Sequence, residues 1–185
     1  MRITVKTGMI TALVWIGIKM LAFATGIVGS NVVPLVMLNI LGVLLAISIG
    51  LFLHKKKTME DSNALLDIKN AMSAGVPYVM LVSIFLYFYY AKIDPEFNAH
   101  QIAEFETTLQ RDLDDPIKFQ QIKESNEDFE VKSKKEIYDT LRSGPRAFYS
   151  PGSTMAISML SLLLLATLNS IFVTIVYRKF IFRRQ

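Results

Sequence analysis

The sequence predicts an all-α membrane protein with four transmembrane helices and a helical insert between the third and the fourth. Three observations predict it. Of the 185 residues, 52% are hydrophobic and 19% charged, and mean hydropathy is +0.38, too apolar for an ordinary soluble domain. The apolar residues fall in four blocks, each close to the ~20 residues a helix needs to cross a ~30 Å hydrocarbon core. Between the third and fourth blocks lies a charged stretch whose apolar positions recur at helical spacing. The absence of cysteine removes disulfides, thiolate metal sites, thiol nucleophiles and lipoprotein anchoring from consideration. The formal charge of +4 is not laid out as a basic face alternating with aromatics, so no nucleic-acid partner is expected.

The first span covers residues 8–28 and carries Lys19 inside "LVWIGIKMLAF". A lysine at mid-span costs ~2.5–3.5 kcal/mol on insertion scales, and each Leu, Ile, Val or Phe returns ~0.3–0.6. Nine such residues in this span offset the lysine, and the helix inserts. Arg2 and Lys6, the apolar stretch and Ala22-Phe23-Ala24 resemble a cleavable signal. Lys19 interrupts that stretch just before the cleavage position, so a retained helix is the expectation.

The second span, residues 32–53, follows the link Gly29-Ser30-Asn31, short enough to require an antiparallel helical hairpin, with Pro34 in the opening turn. Gly42, Ala46 and Gly50 stand at four-residue spacing, a small-residue stripe that lets another backbone approach closely. The third span, residues 71–91, ends in Tyr87, Phe88, Tyr89 and Tyr90, an expected aromatic belt at the lipid boundary. The fourth, residues 153–177, leads into a basic tail ending at residue 185.

Counting inward from the outer end of each span places Asn39, Ser83 and Ser161 in one layer with Lys19. In this polar layer Lys19 is expected to donate to side-chain oxygens or freed carbonyls, with Asn169 making a separate interhelical contact deeper in. An intramembrane lysine marks an ion or substrate path by default. None of the four spans so bounded contains Asp or Glu, which removes an obvious proton relay. The layer therefore reads first as a satisfied polar contact and second as the site of a small transporter or channel.

Orientation follows from the basic flanks. Ten Lys or Arg residues (Arg2, Lys6, Lys55, Lys56, Lys57, Lys69, Arg178, Lys179, Arg183 and Arg184) fall on one side, which predicts cytoplasmic termini and a cytoplasmic second link. The segment 92–152 holds nine Lys/Arg against thirteen Asp/Glu and is expected outside, as a periplasmic insert. Asp94-Pro95 starts its first helix, with Ile102, Phe105, Leu109 and Leu113 as an apolar stripe to about Asp112. Asp115-Pro116 starts a second, and the capping box Ser133 to Glu136 a third that closes at Gly144-Pro145. Stripes this narrow suit packing on one another, on the membrane surface or on a partner, rather than an enzyme core.

Chemistry is sparse. Glu96, His100 and Glu104 share a helical face at four-residue spacing, a spacing compatible with a weak divalent-cation site, but read first as an ordinary solvated surface, and His54 stands apart beside the lysine run. No nucleophile–base pair, phosphate-binding loop or carboxylate dyad is identifiable. No catalytic activity, metal or cofactor is expected.

"NAMSAG" at the entry of the third span, "YYAKIDPEF" at its exit, a Glu/Lys-rich amphipathic stretch, then "FYSPG" opening the last span together resemble a domain-of-unknown-function family. Its members are small four-span inner-membrane proteins of Bacteroidota. The resemblance covers residues 70–184 in motif and the first two spans in hydropathy only, and Lys19 matches no family motif. It implies a bacterial inner-membrane location and four helices, and carries no catalytic residue. The expected role is a non-catalytic component whose partners are the lipid bilayer and other membrane proteins or a second copy. Contact is expected through the Gly42/Ala46/Gly50 stripe or the insert.

Overall fold

A computed structural model describes residues 2–26, 32–58 and 63–181, the side chain of Ile181 excepted. The helices are α1 (Ile3–Thr25), α2 (Val33–Thr58), α3 (Ala64–Phe88), α4 (Pro95–Asp114), α5 (Pro116–Glu124), α6 (Glu127–Glu130), α7 (Lys134–Phe148) and α8 (Pro151–Val176). Five-residue π-helical turns, Tyr89–Ile93 and Tyr177–Ile181, extend α3 and α8. No strand occurs among the described residues. The Gly29-Ser30-Asn31 link, Arg183 and Arg184 lie outside them.

Four helical stretches, Ile3–Thr25, Val33–Thr58, Ala64–Ile93 and Pro151–Phe180, are long and apolar enough to cross a membrane, as in a multi-pass membrane protein. At their basic ends they run past the bounds that charge alone suggests. α1 starts at Ile3, α2 continues through Lys55, Lys56 and Lys57, and α3 starts at Ala64. A charge marks where hydrocarbon gives way to the interface, but the backbone ladder carries on there while lysine stems reach for water. Asp67 therefore belongs to the first turn of α3 and not to a loop. At its other end α1 stops at Gly26, whose φ of 65° and N–H bond to the Phe23 carbonyl at 3.2 Å form a left-handed cap.

The chain divides into two compact units, Met1–Phe85 with Met155–Gln185, and Leu86–Thr154. The first is organised around α3, whose Ala71, Ala74, Tyr78, Val79 and Val82 are fully buried. Glycines bring the other helices onto it. A Cβ on Gly8 would stand 2.0 Å from the Ala74 carbonyl oxygen, one on Gly42 2.3 Å from the Tyr78 hydroxyl, and one on Gly50 2.7 Å from the Ala74 Cβ. The stripe Gly42/Ala46/Gly50 is thus occupied by α3 of the same chain, with Ala46 and Gly50 buried. On α8, Ala166 meets Gly75, 3.2 Å from the position of an added Cβ. The faces turned away carry exposed Leu13, Val14, Leu21, Leu160, Leu164 and Leu168, the inverse of a soluble bundle and the pattern lipid requires.

In the second unit Asp94 caps α4, accepting from the Phe97 N–H at 3.3 Å, with Pro95 as first helical residue. Asp94 also accepts from the Tyr89 hydroxyl at 3.2 Å. Tyr89 is buried and Tyr90 partly so, leaving Tyr87 and Phe88 exposed. The four-residue belt read from the sequence is half its expected size, because consecutive helical residues point about 100° apart and cannot all face lipid. The core of this unit is Leu109, Leu113, Phe129 and Ile137, with Phe119, Ile122, Tyr138 and Leu141 packed against it. Phe129 reaches it from the short α6, held by Asn126 accepting from the Asp128 N–H at 3.0 Å. Of the α4 stripe, Leu109 and Leu113 are buried while Phe105 stays exposed.

α7 opens on the capping box Ser133/Glu136. It does not stop at Gly144-Pro145 but runs to Phe148, with the Tyr149 N–H donating to the Pro145 carbonyl at 2.8 Å. Proline removes one helical bond, and the Arg146–Glu106 pair at 2.7 Å ties this last turn to α4. At the other end, hydrogen bonds from Ser133 hold the Glu136 carboxyl below the ordinary carboxylate range.

Gly8→Ala should lower thermal stability in detergent by ~1–3 kcal/mol, because the clash is with backbone that cannot rotate away. Gly144→Ala, with nothing within 4 Å of its Cβ, should raise stability by ~0.5–1 kcal/mol through helix propensity. Glu136 is ionised in the folded state at lower pH than in the unfolded chain, so its contribution is complete above the usual carboxylate pKa and disappears as pH falls through the depressed value. Amide protection at Glu136 and Ile137 should fall in that acid window, and Ser133→Ala, which removes the hydroxyl bond to the Glu136 carboxylate but keeps the backbone N–H bond, should shrink the pH dependence.

Candidate functional site

Polar groups inside the first unit cluster at two levels. α1 turns Thr4, Thr7, Gly8, Ala12, Trp15 and Lys19 inward. Trp15 Nε1 donates to the Leu35 carbonyl of α2 at 3.2 Å, and its ring stands edge-on to Phe85 with centroids 6.2 Å apart. One turn further along α1, Lys19 is buried at 4% exposure. On α2, Asn39 is buried, and its Oδ1 accepts from the Tyr78 hydroxyl at 2.8 Å. Gly42 leaves room for that hydroxyl, so the small residue and the polar pair form one device.

Of the four residues expected in a common layer, Lys19, Asn39 and Ser83 are buried, whereas Ser161 is exposed. The inward face of α8 is Leu162, Ala166, Ser170, Val173 and Thr174, and Ser161 stands one residue, about 100°, off it. The Trp15–Leu35 bond also sets the register. Asn39 lies one turn from Leu35 toward the basic end and Lys19 one turn from Trp15 the other way, so the set is strung along the bundle axis instead of forming a single layer. Asn169 is half-buried, and its neighbour Ser170 takes the interior position. The hydroxyls of Ser83, Ser170 and Thr174 are buried without a hydrogen-bond partner among the described residues. Ser170 and Thr174 continue the face on which Ala166 meets Gly75, where small side chains serve close approach.

At the basic end the structure builds a cluster that sequence reading missed. Asp67 of α3 is 1% exposed. Its Oδ1 lies 3.0 Å from Lys55 Nζ of α2, and its Oδ2 accepts from Arg178 Nη1, just past α8, at 2.8 Å. One carboxylate thereby ties the ends of three helices. Beside it the Tyr177 hydroxyl donates to the Ser48 carbonyl at 3.1 Å, Phe52 packs edge-on to Tyr177, and the Ser73 hydroxyl donates to Thr4 Oγ1 at 2.5 Å, joining α1 to α3. A sequence signal was present. Asp67, Ala71, Ala74, Tyr78 and Val82 recur at three- and four-residue steps, so the inward face of α3 extends back to the aspartate.

Chemically, the carboxylate is engaged by two cations and so is poorly placed as a general base. Its work is to hold positive side chains from α2 and α8 together. In the second unit His100 and Glu104 stand 4.0 Å apart, both well exposed. No group of three His, Cys, Asp or Glu residues that could hold a metal ion occurs among the described residues.

The model of a family described as a protein of unknown function, DUF4199, matches residues 6–179, and the chain belongs to that family. No curated protein and no solved structure matches it.

Asp67→Asn should destabilise the detergent-solubilised protein by ~3 kcal/mol, since it strands Lys55, whose side chain is 13% exposed, beside a neutral amide. Arg178→Gln should cost less than ~1 kcal/mol, because that side chain is 42% exposed and screened by solvent. Thermal unfolding of the two variants side by side checks the ranking, and equal costs would contradict it.

Proposed function

We propose that the protein is a non-catalytic component of a bacterial inner membrane, one of a group of small four-span proteins of Bacteroidota, that acts by contacting another membrane protein or a second copy of itself. In this reading both termini and the α2–α3 connection are cytoplasmic and the segment 92–152 is periplasmic. The ten basic residues of the flanks support that orientation through the distribution of lysine and arginine in short loops.

The observation that carries the contact role is where apolar surface remains. In the first unit the small-residue stripe meets α3, so it is not available to a partner. In the second unit Phe105, Ile117 and Phe148 on α4, α5 and α7, and Val131 between α6 and α7, stay exposed around a small core, in a segment of charged residues rather than lipid-length apolar runs. Transport along the buried polar groups is the second reading, and buried Lys19 together with the unpartnered hydroxyls of Ser83, Ser170 and Thr174 favours it.

Photocrosslinkers placed at Phe105 and Val131 in cells should give a discrete protein adduct, and the same probe at Leu160 on the outward face of α8 should not. With the probe at Ile117 instead, Phe105→Asp combined with Val131→Asp should abolish the adduct without lowering thermal stability. A monomeric protein giving no adduct from either position would reject the contact role. Lys19→Met should leave thermal stability unchanged or higher, and an accompanying loss of solute flux in liposomes would move the assignment to transport.

A further inference from the structure

We propose that the second unit docks on a second copy of this chain, with Val131 and the acidic turn before it entering the partner's cleft between α4 and α7, reciprocally about a two-fold axis. This rests on the contact role proposed above and names its partner. Three observations lead there. First, a cavity of about 370 Å³ opens between α4 and α7, lined by Gln110, Leu113, Asp114, Lys134, Lys135 and Tyr138. Leu113 and the Tyr138 ring give it an apolar lining, and the Asp114–Lys134 pair ties its two helices together. Lys135 makes no ion pair among the described residues, so the cleft carries a surplus positive charge. Second, Glu127, Asp128 and Glu130 are exposed and likewise make no ion pair among the described residues. Val131 directly after them is 90% exposed, more than any other large apolar side chain described. A single exposed valine is ordinary on a protein surface, but this one ends a turn whose charge is opposite to that of the cleft.

Third, the turn is held in shape. Phe129 is anchored in the core, Lys123 Nζ donates to the Glu130 carbonyl at 3.0 Å, and the Lys132 N–H donates to the Phe129 carbonyl at 3.3 Å. A turn fixed before docking loses little conformational freedom on binding. Val131 stands only three residues before Lys134, with the α7 cap at Ser133 between them, and its exposure shows that it does not fill the cleft of its own chain. Turn and cleft are thus complementary in charge and both offer apolar surface, and they lie close together on one unit. An isologous interface requires such a patch, because each residue i that meets j is matched by j meeting i. A second copy satisfies both halves at once, bringing Glu130 of each chain to Lys135 of the other, and complementary charge fixes the register.

The test uses the full chain in detergent micelles, in two preparations carrying donor and acceptor fluorophores at the N-terminus, with self-association read by energy transfer on dilution. Lys135→Glu alone and Glu130→Lys alone each set like charges against one another twice per pair, and each should weaken self-association by on the order of tenfold. Mixing the two variants should restore it, because every contact then joins unlike charges again. Both side chains are exposed and outside the core, so the unfolding temperatures of the variants should match that of the unsubstituted chain. A photocrosslinker at Val131 should give an adduct of two chains, joined to residues 110–138. Self-association indifferent to the single variants, or a mixture that does not recover, overturns the docking. A Val131 adduct containing a different protein overturns it while the contact role stands, whereas no adduct from Val131 or Phe105 rejects both.

Discussion

The approach of backbone to backbone at Ala74 is the constraint on which the first unit depends. With no hydrophobic drive between helices in lipid, association rests on van der Waals contact and buried hydrogen bonds, and both need the helix axes close. Gly8 and Gly50 bring α1 and α2 onto that one residue from two directions, while Gly42 makes room for the Tyr78 hydroxyl that binds Asn39. Once these contacts form, the register of α1 and α2 on α3 is set. The Trp15–Leu35 and Ser73–Thr4 bonds then follow from it.

The charged cluster at the basic end solves a different problem. The helix ends at this side of the first unit are rich in lysine and arginine and repel one another. A single buried carboxylate on α3 opposes that repulsion at the point where it is largest. Its position in the first turn also favours a negative charge through the helix dipole.

The second unit follows the rules of water. α7 keeps only Ile137 fully buried and α4 keeps Leu109 and Leu113, and charge pairs such as Lys134 with Asp114 and Arg146 with Glu106 line the helices that meet. A core this small leaves apolar side chains outside it, and the contact role rests on those. The same chain thus packs its first unit through small residues while turning many large apolar ones outward, and hides large apolar residues under a charged surface in its second.

Much of this was legible in the linear sequence, and for definite reasons. Length of apolar run and charge exclusion are local properties, so four spans, the Asp94 and Asp115 caps and the Ser133–Glu136 box could be read without knowing any neighbour. Burial of Lys19, Asn39 and Ser83 also followed, because a polar residue in an apolar helix of a bundle turns inward. What only the tertiary structure decided was which residues meet. Ser161 faces out because one step along a helix is a third of a turn, and the outward and inward faces of α8 are equally apolar in sequence. Asp67 looked like loop because charge was taken to end a helix, whereas Lys55 and Arg178, far away in the chain, supply the countercharge that lets the helix begin earlier. The small-residue stripe could be seen, but its occupant could not: a gap left by glycine is complementary to any close backbone, and only the packed bundle shows that α3 fills it.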